Sequence, residues 1–184
     1  AKKIIALNAD LTVVPSQESF WSYLINVPTL AVIHDLMHRY EKRFPEVSHN
    51  GRFAYREKHF AYMCKHSQGV LVDSIYGKRQ VCESYSVPFH KIHPLPFIAP
   101  DYIYHQTIQD DFVNKYILPG KFLFYPAQFW QHKNHIRLLM AVHRLVDEFP
   151  DIQLVLFGSK KNEYDKIAAR ITSLGLQDLV HIPT

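Results

Sequence analysis

Cysteine is scarce in this chain. Cys64 and Cys82 are the only two in 184 residues, and both lie in stretches of helical pattern, so no disulfide framework is expected and a reducing compartment is favoured. Long apolar runs are missing as well. No stretch approaches the roughly 18 uninterrupted apolar residues that suggest a membrane span. Residues 1–10 hold a brief apolar run without a cleavage region, so a signal peptide is not expected and the chain is placed in the cytoplasm. The glycine-dependent motifs are absent too: no P-loop, no Gly-x-Gly-x-x-Gly and no Gly-x-Ser-x-Gly. Readings as an NTPase, a dinucleotide-dependent dehydrogenase or a serine hydrolase therefore lack support. There are no internal repeats and no low-complexity tracts.

Histidine, by contrast, is plentiful, with twelve in the chain. His34 and His38, His90 and His93, and His132 and His135 have spacings that place two ligands on one helical face. Pro94 and loop context break the latter two pairs out of helix, and no third ligand follows at a sensible distance. No bound metal and no cofactor are expected.

With 47% hydrophobic and 21% charged residues, the composition is that of an ordinary soluble globular chain. The net charge of +4 is unevenly placed. Within residues 38–66, Arg39, Lys42, Arg43, Arg52, Arg56, Lys58 and Lys65 outnumber Glu41, Glu46 and Glu57 by the whole of that excess. Tyr40, Phe44, Phe53, Tyr55, Phe60 and Tyr62 are interleaved with them. The plain expectation is a solvated amphipathic helix whose aromatics face the core. The pattern also suits peripheral contact with an anionic membrane surface, and nucleic acid is the least favoured partner.

Short apolar strands alternate with helical stretches over residues 1–97. Strands are expected at 11–14, 29–33 and 69–72, helices at 51–67 and 76–85, and a short edge strand closed by prolines at 91–96. The first three strands are nearly all-apolar, as strands covered by helices on both faces should be. The pattern fails between Phe97 and Asn114, where Pro100, the Asp110–Asp111 pair and scattered tyrosines and histidines indicate a connector, set at 98–115. It resumes in 116–184, with strands at 121–126, 153–158 and from 180, and helices at 136–149 and 163–174. Gly175 is placed to cap the latter. Strand, loop, helix and strand within 121–158 form a βαβ unit. The loop at 127–134 then lies at the carboxyl edge of a parallel sheet, where such folds bind ligands. Lys133 there, beside the free amides of a helix N-terminus, is suited to holding phosphate.

Several landmarks follow in order: Val32-Ile33-His34-Asp35 after a central strand, Val72-Asp73-Ser74 with Lys78, the prolines of 91–96, the loop from Tyr125 to Asn134, and Leu154 to Gly158. In these the sequence resembles the bacterial retaining glycosyltransferases of family 4, which have the GT-B fold of two facing Rossmann-like domains. The resemblance implies an α/β architecture with doubly wound parallel sheets. Residues 1–97 would be the later part of the acceptor-binding domain, and 116–184 the first half of the nucleotide-sugar-binding domain. It further implies a central piece, inactive alone. The glycine-rich first loop is expected before Ala1, and the E-x7-E carboxylates that contact the donor are expected after Thr184.

Roles carry over on that resemblance. Lys133 matches the lysine on the donor diphosphate, where it would neutralise the departing nucleoside diphosphate. Gln128 stands where family members commonly have arginine and supplies no charge. Asn134 would cap the following helix. His34 matches a catalytic-cleft histidine, with Asp35 able to fix its tautomer. Ser74 and Lys78 match cleft-lining residues, although Ser74 also reads as a plain helix N-cap. Phe129 and Trp130 are read as packing residues. No Asp-x-Asp metal motif of the other large glycosyltransferase fold is present.

The expectation is thus transfer of a hexose such as mannose, with retention, from a nucleotide-diphosphate sugar. The acceptor would be a polysaccharide or lipid-linked glycan at the inner face of the cell membrane. The competing readings are a non-catalytic scaffold or binding subunit, hinted at by Gln128, and a sugar-nucleotide epimerase on the same fold.

Overall fold

The computed structural model describes residues 2–105 and 112–183; the Asp110–Asp111 pair of the expected connector lies outside them. The chain divides into two compact units, Ala1–Ile103 and Tyr104–Thr184.

The first unit is built on a four-stranded sheet of β1 (Thr12–Val14), β2 (Thr29–Ile33), β3 (Gly69–Val72) and β4 (Ile92–Pro94). The strands lie side by side in chain order and every pairing is parallel, with Val13 opposite Leu30, Val32 opposite Leu71 and Leu71 opposite His93. Parallel neighbours need crossovers. The two longest are helices α1 (Arg52–His66), between β2 and β3, and α2 (Ile75–Tyr85), between β3 and β4. α1 starts at Gly51, whose φ of 76° is left-handed and therefore suits glycine.

Phe60, Met63 and Cys64 recur at the i, i+3, i+4 spacing of one helical face, and all three are buried against Ala31, Ile33, Val70 and Val72 of the central strands. Burial pushes the Cys64 thiol up to about 12, so it is an inert core group. The central strands are covered as expected on the face of Ala31, Ile33, Val70 and Val72, whereas Leu30 and Leu71 on the other face are only half-buried. Outer β1 is not: Val14 is buried while Val13 is 54% exposed, because a strand paired on one side only has less to cover it. The aromatics of 38–66 also divide. Phe60 is in the core, whereas Tyr40, Tyr55 and Tyr62 are exposed.

In the second unit β5 (Leu123–Pro126), β6 (Leu154–Phe157) and β7 (Val180–His181) form a parallel sheet in that order. α3 (His135–Leu145) joins β5 to β6, and α4 (Tyr164–Ser173) joins β6 to β7. Leu139 and Val142 of α3, Ile167 and Ile171 of α4, and Leu154 and Leu156 of β6 share one core with Phe129 and Leu176. Gly175 adopts φ 67° after α4, and the Leu176 amide donates back to the Ile171 carbonyl, the αL stop expected for this glycine.

Candidate functional site

In both units the chemistry-bearing residues fall just past the ends of parallel strands. In the first, β2 runs into His34 and β3 into Asp73 and Ser74. Adjacent parallel strands bring their carboxyl ends together, so residues 39 apart in sequence meet. His34 Nδ1 lies 3.0 Å from Asp73 Oδ1, and His34 Nε2 lies 3.3 Å from the Pro15 carbonyl, itself just past β1. The imidazole stacks on Phe97 at 5.7 Å between ring centroids. Around it is a cavity of about 640 Å³ whose walls are mostly apolar, including Val13, Val32, Leu71 and Leu95. A half-exposed imidazole with a carboxylate at Nδ1 and apolar walls beside it can hydrogen-bond a bound hydroxyl through Nε2 once that nitrogen leaves the Pro15 carbonyl.

The expected partner of His34 is corrected here: Asp73, not Asp35, orients it. Asp35 faces the other way. Its carboxylate accepts from the Met37 amide at 2.9 Å, from Arg56 at 3.2 Å and from Gln17 at 3.2 Å. Burial raises its pKa, but the Met37 amide, Arg56 and Gln17 together outweigh burial and hold it below the ordinary carboxylate value. Gln17 clamps the same turn, its Oε1 accepting from the His34 amide at 2.9 Å. No helical or strand periodicity marks Gln17; its role depends on a loop folding back over residues 34 and 35.

Ser74 sits at the start of α2, and its hydroxyl accepts from the Gly77 amide at 3.0 Å, a regular N-cap. Lys78 is one turn further on, with its ammonium 3.6 Å from the centroid of the Phe89 ring. His34 and Ser74 thus share the carboxyl edge of one sheet, while the Lys78 ammonium is engaged by Phe89.

The second unit places Gln128, Lys133 and Asn134 on the single loop between β5 and α3. Two contacts shape it. The Tyr125 hydroxyl donates to the Lys133 carbonyl at 2.8 Å. Gly158, directly after β6, presses its backbone on residues 127 and 128: an added Cβ would clash with the Ala127 carbonyl and lie 2.8 Å from the Gln128 amide nitrogen. The loops after β5 and β6 are further tied by the Phe129 amide donating to Ser159 and the Glu163 amide donating to Phe129. Underneath, buried His135 stacks on Phe129 at 4.8 Å and meets Tyr125 edge-on at 5.1 Å. Its ring nitrogens make no well-formed hydrogen bond among the described residues, and burial lowers its pKa.

Lys133 is exposed on this framework. Gln128 is exposed as well, but its amide oxygen accepts from the Trp130 indole at 2.7 Å. Lys161, on the loop after β6, stands 5.2 Å from the Trp130 ring centroid and brings a second cation to the same pair of loops. Asn134 corrects a second expectation. It occupies the N-cap position of α3 in left-handed conformation, φ 59°, without a side-chain capping bond. Its contribution is the turn itself, which asparagine tolerates better than most residues. Phe129 is fully buried, in accord with its packing role. Among the described residues, no group of three or more His, Cys, Asp or Glu side chains is placed to hold a metal ion.

No family model matches this chain. No curated protein matches it either. Solved structures do match. A glycosyltransferase from Rickettsia africae superposes with a TM-score of 0.61 at 18% identity, over 98% of this chain and 48% of that one. Anabaena HepE, solved in complex with UDP and glucose, superposes at 0.68 and 14% identity over 98% of this chain and 50% of that one. A TarM mutant of S. aureus, in complex with Fondaparinux, alpha-GlcNAc-glycerol and UDP, reaches 0.56 at 17% identity over 85% and 28%. The fold is therefore α/β of the GT-B glycosyltransferase type, with two successive Rossmann-like units on parallel sheets. The chain spans half or less of the length of these structures.

Proposed function

We propose that the full protein is a glycosyltransferase that moves a hexose, such as mannose, from a nucleotide-diphosphate sugar to a polysaccharide or lipid-linked glycan. The reading includes retention of configuration, no metal, and an acceptor at the cytoplasmic membrane face. It rests on one observation above the others: exposed Lys133, beside the first turn of α3, on a loop anchored by Tyr125 and by close contact with Gly158. An ammonium next to helix N-terminal amides stabilises charge where a diphosphate departs. The shared fold with HepE, solved with UDP and with UDP-glucose, supports the donor class. On the same reading the first unit takes the acceptor, with His34 as the polar group at the transferred sugar and Asp73 as the residue that positions it. Residues 116–184 belong to the donor domain, with Gln128 and Asn134 lining the phosphate end and Ser74 and Lys78 flanking the acceptor side.

Replacing Lys133 with Ala in the full-length enzyme is expected to lower turnover on the order of a hundredfold or more, as loss of one charge-stabilising donor does. Release of nucleoside diphosphate from radiolabelled donor measures it, and unchanged turnover would remove Lys133 from the site. A second reading, a scaffold that kept the fold and lost the chemistry, draws on Gln128, which lacks charge and gives its oxygen to Trp130. Donor-dependent release of nucleoside diphosphate by the full protein rules that reading out. A product formed without any acceptor would instead mark an epimerase.

A further inference from the structure

The side of α1 turned away from the core carries an uncovered aromatic and basic face. Phe60, Met63 and Cys64 point inward, while Tyr55, Lys58, Tyr62 and Lys65 are exposed. The short helix Trp21–Leu24 lies alongside: the Phe20 ring centroid is 6.1 Å from that of Tyr55, and Tyr23 is 5.6 Å from Tyr62. Between them is a groove of about 630 Å³. Leu24, at 62% exposure, lines it, and Trp21, next to Phe20 in sequence, is 44% exposed.

Two features decide what this face fits. The first is charge. The exposed charges of α1 are Arg52, Lys58 and Lys65, all basic, and its one acid, Glu57, is tied to Arg39 and His38. Glu18, close by in sequence to Phe20, is paired with Arg56. The second is that two of the polar groups lining the groove, the Tyr23 hydroxyl and the buried His59 imidazole, are already satisfied. The Tyr23 hydroxyl pairs with His59 Nδ1 at 2.8 Å, and His59 Nε2 with the Gln17 carbonyl at 2.8 Å. A sugar or nucleotide site needs convergent free donors and acceptors; an apolar wedge with amphipathic rings and a basic rim suits a lipid headgroup layer.

We propose that this face docks on an anionic lipid bilayer. Phe20, Trp21 and Leu24 enter the boundary between headgroups and acyl chains, Tyr55 and Tyr62 lie at headgroup level, and Lys58 and Lys65 meet the lipid phosphates. Within the basic stretch 38–66, Arg39 and Arg56 are left out of this contact, because they are held by Glu57, Asp35 and Glu18. No helix among the described residues is long and apolar enough to cross a membrane, so the contact is peripheral. It does not depend on the transfer reaction.

The test is co-sedimentation of the full-length protein with vesicles of phosphatidylcholine alone or mixed with phosphatidylglycerol. Binding is expected to the mixed vesicles, weakening as salt rises. Lys58→Gln with Lys65→Gln should weaken it about thirtyfold, the loss of two lysines at an anionic surface. Trp21→Ser with Leu24→Ser should weaken it about tenfold or more through lost apolar insertion. All four side chains are exposed, so circular dichroism and nucleoside diphosphate release from a soluble donor should match the parent protein. Equal binding to both vesicle types, or variants that bind like the parent, overturns the proposal. So does a concentration-dependent dimer abolished by Leu24→Ser, which assigns the face to a second copy. Tyrosine fluorescence quenched by a soluble oligosaccharide but not by vesicles also overturns it, assigning the face to a glycan.

Discussion

Asp35 and Asp73 are both acids at the ends of neighbouring strands, yet their surroundings give them different work. Asp73 sits behind His34 at 3.0 Å, and Asp35 caps the next turn and holds Arg56. Asp73→Asn in the full-length enzyme should therefore reduce turnover about ten- to a hundredfold, since hydrogen bonds to charged groups contribute about 1.5–3 kcal/mol. It should also shift the pH profile of turnover while leaving the melting temperature in place. Asp35→Asn should do the reverse, costing about 1 kcal/mol of stability as a lost cap does, with turnover per folded molecule retained. Parallel kinetic and thermal measurements on the two variants separate them. A fall in turnover for Asp35→Asn alone would restore Asp35 as the orienting acid. The candidate residues His34 and Lys133 could be placed in the sequence because His34 directly follows an apolar strand and Lys133 closes the loop between an apolar strand and an amphipathic helix. Asp73 as the partner of His34 could not. Strand β3 running into Asp73 was visible, but which carboxylate faces His34 depends on the pairing and twist of β2 and β3.

At the scale of elements, the loop between β5 and α3 is held from both sides, by the Tyr125 hydroxyl and by the backbone of Gly158. The strand, loop and helix pattern of 121–158 locates this loop in the sequence with bounds close to those observed. Gly158 reads there only as the end of a strand. Its reason is tertiary: a Cβ has no room against the Ala127 carbonyl. Gly158→Ala should destabilise the second unit by about 1–3 kcal/mol, the usual cost of overpacking, and weaken donor binding by displacing Lys133. Chemical denaturation and titration with nucleoside diphosphate check the two effects separately. Unaltered stability would mean that the loops part without cost. Asn134 makes the same point about elements. Its place before α3 follows from the periodicity, but its left-handed turn without a side-chain cap belongs to the folded loop.

Across the whole molecule, buried imidazoles couple stability to pH. His38, His59 and His135 are each lowered in pKa, with burial the leading cause. Burial lowers His38 even though the Glu57 carboxylate, 2.7 Å from its Nε2 and also paired with Arg39, raises it. A histidine whose pKa is lower in the folded state contributes stability above its unfolded value of about 6.5 and loses it as pH falls through the folded value. Both units contain such groups. The melting temperature should accordingly be highest near neutral pH and fall progressively below about pH 6.5. Asp35 and Glu57 extend the loss below about pH 4: burial raises both, but their hydrogen bonds and cations lower them further. Thermal melts across that range test this, and a melting temperature that rises on acidification would contradict it.

The sequence by itself determined the α/β class, the order of the principal strands and helices, and the loops that carry the candidate site. Hydrophobic periodicity and turn residues are local properties, written within a few turns of each element. Tertiary structure alone decided which acid stands behind His34, why residue 158 must be small, and which tyrosines of 38–66 are left outside. Those depend on groups that meet from distant parts of the chain, and only packed parallel strands bring them within reach.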